Sequence, residues 1–278
     1  MAENIASRVE LNDGGSMPQL GLGCFRSVGE TGVNAVKWAA EAGYRHFDTA
    51  TRYENEKDTG RGVRECGIGR GELFVASKIW QTKFANPKAA IEFSLKELDV
   101  GYIDAYLLHW PGIDRDLRFK AWEEMLSYRE KGLIKSVGVS NFQVDQLEDL
   151  IKEFGVVPVC NQIELHPWYQ ERELAGFCRD KGIQVTSWGP IFRGHIGEVP
   201  LMDELGEKYG KSPVQVTIRW HLQHGFVVIP KSSDRGRIFQ NADVFDFAIS
   251  DEDMARIDAL ECGRNFGDDP YTFEGAGF

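Results

Sequence analysis

The chain has 278 residues, 42% of them hydrophobic, with apolar and aromatic side chains spread along its whole length. That suits one large α/β domain over residues 1–278, because no Pro/Gly/Ser-rich or single-sign stretch divides it. Lys plus Arg number 32 against 43 Asp plus Glu, a net charge of -11, which disfavours nucleic acid as a partner and leaves room only for a local basic pocket.

No apolar run approaches the roughly 20 residues that a bilayer span needs. The start, Met1-Ala2-Glu3-Asn4, has neither a basic nor an apolar leader region, so a cytoplasmic protein is expected. Five scattered cysteines (Cys24, Cys66, Cys160, Cys178 and Cys262) contain no C-x-x-C, which argues for free thiols over a disulfide framework or zinc ligation.

In chain order, Arg8–Leu11, Asn12-Asp13-Gly14 and Met17–Leu20 read as a short hairpin. Strand-like runs follow at Gly21–Phe25, Arg45–Ala50, Leu73–Ile79, Ala105–Trp110, Ser136–Asn141, Val159–Leu165, Gln184–Gly189 and Val227–Lys231. Helical windows lie between them at Val33–Glu41, Pro87–Leu98, Phe119–Lys131, Val144–Phe154, Glu171–Lys181 and Val214–His224. Asn86-Pro87 and Ser212-Pro213 mark helix starts, and Gly43, Gly132 and Gly182 mark helix ends.

This repeat fits a TIM (β/α)8 barrel with an N-terminal β-hairpin able to plug its lower mouth. An open doubly wound sheet fits the alternation almost as well, but no G-x-G-x-x-G joins a first strand to a helix. Gly67-Ile68-Gly69-Arg70-Gly71 precedes a strand, not a helix, and reads as a turn. Asp48, Lys78, His109, Asn141, Glu164 and Lys231 fall at or just past the C-terminal ends of different strands, the end where barrels carry chemistry.

Tyr53 would lie in the loop above Asp48. A phenol has an ordinary pKa near 10 and is a poor acid at neutrality. A cation such as Lys78, held by Asp48, would lower it, and His109 would orient a carbonyl oxygen. As isolated residues, Asp48 and Lys78 also read as a structural ion pair, and His109 as a core histidine. His166 reads as a core histidine, and His221 and His224 as packing residues, not metal ligands.

Several motifs then recur together: Gly43–Ala50 with Tyr53 and Asn55-Glu56, Ser77-Lys78, Leu107–Pro111, Gly138–Phe142, Asn161–Pro167 and Ile229–Ser232. In this order and spacing the chain resembles the aldo-keto reductases from about Val9 to Phe247, in the manner of their short microbial and protist members. The resemblance implies NADPH-dependent reduction of aldehydes or ketones without a metal, by a monomer whose catalytic residues are Asp48, Tyr53, Lys78 and His109. It implies that Ser140, Asn141 and Gln162 bind the nicotinamide carboxamide and that Trp188 stacks on the ring. By the same resemblance Lys231, Ser232 and Arg237 take the adenosine 2′-phosphate, and Asn241 lies near the adenine.

Phe25, Trp80 and Trp110 read as substrate-binding residues, with core packing the alternative for the two tryptophans. Cys24, Phe25, Thr59, Asp234 and Gln240 depart from the family's usual choices, and Asp234 adds a negative charge beside the expected phosphate pocket. Arg193–Gly197 reads either as a movable loop over the cofactor or as an ordinary surface loop. The tail Gly263–Phe278, with Phe266, Tyr271, Phe273 and Phe278, reads as a segment folded over some part of the barrel; the resemblance implies that it covers the substrate pocket and, being short for the family, leaves it open. Two other functions compete: a regulatory or redox-sensing barrel with negligible turnover, and a glycosidase using Asp48 and Glu164.

Overall fold

A computed structural model describes residues 3–275 of the chain. Met1, Ala2 and Phe278, which figured in the reading of the termini, lie outside the described residues. Strands β1 (Arg8–Glu10) and β2 (Ser16–Pro18) form an antiparallel hairpin. A parallel sheet of eight strands follows: β3 (Leu22–Gly23), β4 (His46–Asp48), β5 (Phe74–Ile79), β6 (Ile103–Leu108), β7 (Ile134–Ser140), β8 (Cys160–Glu164), β9 (Gln184–Trp188) and β10 (Val227–Val228). Each strand pairs with its neighbour in sequence, so the connections are successive β-helix-β crossovers.

The sheet closes on itself. Leu20 bridges Val228 and Gly23 bridges Lys231, both in parallel, with Gly21 N donating to Val228 O at 2.9 Å. That contact decides for the barrel over the open sheet. It is tight: a Cβ on Gly23 would stand 2.8 Å from the carbonyl oxygen of Ile229, so a larger residue would push the seam apart. This crowding accompanies β3 and β10 being shorter than their sequence patterns suggest.

The hairpin plugs the N-terminal mouth. Leu11 and Met17 pack in one buried cluster with Phe74, Ala105, Leu107 and Val227 from the barrel strands. The hairpin's turn is tied down by Ser136 Oγ donating to Asp13 Oδ2 at 2.7 Å and by Asn12 Nδ2 donating to Pro158 O at 2.9 Å. With the lower end filled, the open end of the barrel is the one carrying Asp48, Lys78 and Glu164.

The helices are α1 (Gly29–Glu41), α2 (Glu56–Glu65), α3 (Pro87–Leu98), α4 (Arg115–Glu130), α5 (Val144–Phe154), α6 (Arg172–Asp180), α7 (Pro200–Tyr209), α8 (Pro213–Gln223), α9 (Arg235–Ala242) and α10 (Asp251–Asp258). Ser212 caps α8 by a reciprocal bond with Gln215, whereas Asn86 makes no side-chain cap and α3 starts on Pro87 alone. Gly43, Gly132 and Gly182 all have positive φ after their helices, the geometry a C-terminal glycine supplies. The loop 67–71 is a turn, its Arg70 bonded to the carbonyls of Leu73, Val100 and Tyr102.

Helices α2, α7, α9 and α10 lie outside the windows that periodicity marks. The reason is clearest for α2. Its Gly60 lies so near α3 that a Cβ there would overlap the Leu98 carbonyl, so the helix is held by close packing and not by an apolar stripe.

Candidate active site

Tyr53 sits on a single turn, Thr51–Tyr53, directly after β4, and this turn is fastened at both ends. Thr51 Oγ1 donates to Lys78 O at 3.0 Å and accepts from Trp80 N at 3.2 Å, tying the turn to β5. Asn55 accepts from Thr49 Oγ1 at 2.7 Å and donates to the carbonyls of Cys24 and Ser27 at 2.7 and 2.9 Å, tying it to the loop after β3. Asn55 is thus a positioning residue, a role its place in the motif did not reveal.

Lys78, near the end of β5, is completely buried. Its ammonium donates to Asp48 Oδ1 at 2.5 Å and to Thr49 O at 2.9 Å, and lies 5.1 Å from the centre of the Tyr53 ring. The second carboxylate oxygen of Asp48 accepts from Gln162 Nε2 at 2.8 Å. His109, just past β6, brings Nε2 to 3.5 Å from the Tyr53 hydroxyl. The four residues expected to act together are therefore adjacent.

Their charges follow from burial and pairing. Burial alone would pull the Lys78 ammonium down, but Asp48 and the hydrogen-bonded Tyr53 outweigh it and hold it above the ordinary lysine value, so Lys78 is charged. His109 is held well below the ordinary histidine value by burial, with Lys78 and Arg52 adding to the effect, so its ring is neutral. Tyr53 corrects a sequence expectation. Burial raises the phenol, Lys78 lowers it and Asp48 raises it, and the net direction is upward. Desolvation, invisible in the sequence, outweighs the neighbouring cation.

A cleft of about 750 Å³ opens above this group, with Tyr53, Trp80, His109 and Trp110 on one side and Gln162 and Trp188 on the other. Asn141 follows β7 with φ of 63°, a strained conformation for a residue with a side chain. Its Nδ2 donates to His109 O at 2.9 Å and Ser140 Oγ at 3.1 Å, while its Oδ1 accepts from Trp188 Nε1 at 2.8 Å. Ser140 Oγ donates to Gln162 O at 2.7 Å. Ser140, Asn141, Gln162 and Trp188 thus form one hydrogen-bonded floor that fixes the plane of the indole.

Lys231 and Arg237 are exposed, Ser232 and Asn241 are buried, and among the described residues neither cation is held in an ion pair. The unusual Asp234 caps α9: its Oδ1 accepts from Arg237 N at 2.9 Å, which turns its charge toward the helix's first turn. Cys24, another departure, has its thiol pushed up to about 12, by burial first and Asp48 second, against a hydrogen bond from Thr59, and is inert. All five cysteines are free thiols.

On the other side, Phe25 meets Tyr53 edge-on with ring centres 5.0 Å apart, and Trp80 meets His109 at 4.9 Å. The tail covers this wall: Phe273 packs on Trp110 at 4.8 Å and Trp80 at 5.8 Å, and Trp80 Nε1 donates to Gly275 O at 3.3 Å. Glu164 anchors the tail's first part, accepting from Phe266 N at 2.9 Å, Gly267 N at 2.7 Å and His166 Nε2 at 3.0 Å. Phe266 then stacks on His195 at 4.8 Å, and Arg264 pairs with Glu198 at 2.8 Å, so the tail is stapled to the loop after β9.

These contacts remove the basis for a glycosidase, since Glu164 and Asp48 are each engaged by several donors and neither is presented as an acid or nucleophile. His221 is a packing residue facing the carbonyls of Thr217 and Leu165, while His224 faces Asp258.

The Aldo/keto reductase family model matches residues 19–261. The chain belongs to the aldo/keto reductase family. Among curated relatives it is 44% identical to methylglyoxal reductase DkgA of Escherichia coli K12, over 96% of this chain and 98% of that protein. It is 42% identical to glyoxal reductase of Bacillus subtilis, over 97% of this chain and 98% of that one. Among solved structures, an NADP complex of a Bombyx mori aldo-keto reductase superposes with a TM-score of 0.86 at 34% identity, covering 95% of each chain. In this aldo/keto reductase the Trp188 indole is held by Asn141, and the buried Asp48–Lys78 pair lies behind Tyr53.

Proposed function

We propose that this aldo/keto reductase converts aldehyde or ketone carbonyls to alcohols with NADPH, using Tyr53 as proton donor. The observation that carries the reading is the buried Asp48–Lys78 pair set behind the Tyr53 phenol, with neutral His109 at 3.5 Å on the phenol's other side.

The residues present fit the cofactor. Gln162 turns its amide nitrogen to Asp48, which leaves its oxygen as an acceptor for a carboxamide, and Asn141 Oδ1 keeps a second lone pair. Trp188 offers a fixed aromatic face to a nicotinamide ring, while Lys231, Ser232, Arg237 and Asn241 would hold the adenosine phosphate end. When bound, NADPH supplies the hydride.

The protein's own part is the proton and its geometry. A carbonyl oxygen placed between the Tyr53 hydroxyl and His109 Nε2 receives a hydrogen bond from each, the neutral imidazole donating its N–H. Burial keeps the phenol protonated beforehand. As its proton passes to the carbonyl oxygen, the phenolate forms beside the Lys78 ammonium, which Asp48 and Thr49 hold in place. Lys78 thus stabilises the charge as it develops.

The same reading takes residues 1–278 as a single domain, supported by a core cluster that extends from Leu20 to Ile257, acting as a monomer in the cytoplasm. No helix among the described residues is long and apolar enough to cross a membrane. The test is Tyr53→Phe: turnover of NADPH with methylglyoxal should vanish while NADPH still quenches tryptophan fluorescence. Retained turnover in the variant refutes the proton donor. A wild-type protein that binds NADPH but reduces no member of an aldehyde panel is instead a regulatory barrel.

A further inference from the structure

The charged residues lining the cleft are Arg26, Arg52, Arg193, Lys231, Asp48 and Asp268. Asp48 is neutralised by Lys78, so cations dominate a cleft in a chain whose net charge is -11. Lys231 lies on the side proposed for the cofactor, and so does Arg193, whose guanidinium lies 5.6 Å from the Trp188 ring. Arg52 stands on the opposite side. It immediately precedes Tyr53, its guanidinium lies 5.6 Å from the Trp80 ring, and its charge is felt at the buried His109 imidazole.

We propose that Arg52 is a substrate anchor, and that this cleft favours carbonyl compounds bearing a carboxylate close to the reacting carbonyl. The inference rests on the carbonyl-reductase reading above. A carbonyl oxygen bound between Tyr53 and His109 directs the rest of a small substrate along the wall of Trp80 and Trp110, and Arg52 borders that wall. The guanidinium lies beside the Trp80 ring, and its planar fork of N–H donors matches a carboxylate in shape and charge. The aromatic wall thins the water around the anion, which strengthens a charge-assisted bond.

The test compares matched substrates, glyoxylate with methylglyoxal and succinic semialdehyde with butanal, each with NADPH, in wild type, Arg52→Met and Arg52→Lys. In Arg52→Met the ratio of kcat/KM for the anionic over the neutral partner should fall by on the order of tenfold or more, carried by KM, with Arg52→Lys in between. In wild type, raising the salt should erode the same ratio, a readout independent of whether a variant folds. A ratio within twofold of wild type in Arg52→Met, or a wild-type ratio indifferent to salt, overturns the proposal. Failure of the wild type to oxidise NADPH with any of the four substrates overturns the carbonyl-reductase reading itself.

Discussion

Glu56 opens α2 outside the lining of the cleft, and replacing it by Gln gives a prediction with a defined sign. The side chain is 3% exposed; one carboxyl oxygen accepts from Ser77 Oγ, and the other has no partner among the described residues. Burial raises its pKa from 4.5 to about 7, with Glu97 pushing the same way and Ser77, Ser94 and Lys78 pulling against it. Below 4.5 the group is protonated in both folded and unfolded chains and costs nothing. As pH rises toward 7 the unfolded chain releases its proton first, so the folded state loses stability, and the loss is complete once pH has passed about 7. The difference in pKa amounts to roughly 3 kcal/mol in all, most of it between pH 5 and 8. Glutamine does not titrate. Urea unfolding of wild type and Glu56→Gln at pH 5 and pH 8 should therefore show the variant gaining roughly 2–3 kcal/mol relative to wild type at the higher pH. A relative stability that is flat across this range, or that moves the other way, would falsify the assignment of Glu56 as a desolvated acid.

Two further outcomes are expected. Glu164→Gln keeps the shape but opposes an amide N–H₂ to one of the tail's backbone donors, and removes the charge that strengthens both bonds. Hydrogen exchange at Phe266 and Gly267 should accelerate by on the order of a hundredfold, with the rest of the barrel unchanged, since bonds to a charged group contribute about 1.5–3 kcal/mol each; unaltered exchange would show that the tail is held elsewhere. Lys231→Ala combined with Arg237→Ala should weaken NADPH binding by on the order of tenfold or more while changing NADH binding far less. Equal weakening of both cofactors by fluorescence titration would remove these residues from the 2′-phosphate site.

The alternation of apolar runs from Gly21 to Lys231 determined the barrel strands, because in-and-out patterning along a strand is a local property of the chain. The motifs around Asp48, Tyr53, Lys78 and His109 determined the candidate site for a similar reason: each residue is tied to the end of its own strand, and a closed barrel brings those ends together. Other matters depended on contacts between distant parts of the chain. Helix α2 exists because Gly60 lets it lie against Leu98, although its own sequence has no apolar stripe. Glu164 anchors the tail because residues a hundred positions later fold back to it, and nothing near Glu164 announces this. Arg52 becomes a feature of the cleft only once Trp80, just past β5, lies beside it. For Tyr53 the sequence supplied the cation that lowers the phenol's pKa, but only the folded structure supplied the burial that raises it further still. Pairing partners can be read from motifs, whereas desolvation is the sum over everything that surrounds a group, and only the tertiary structure sets that sum.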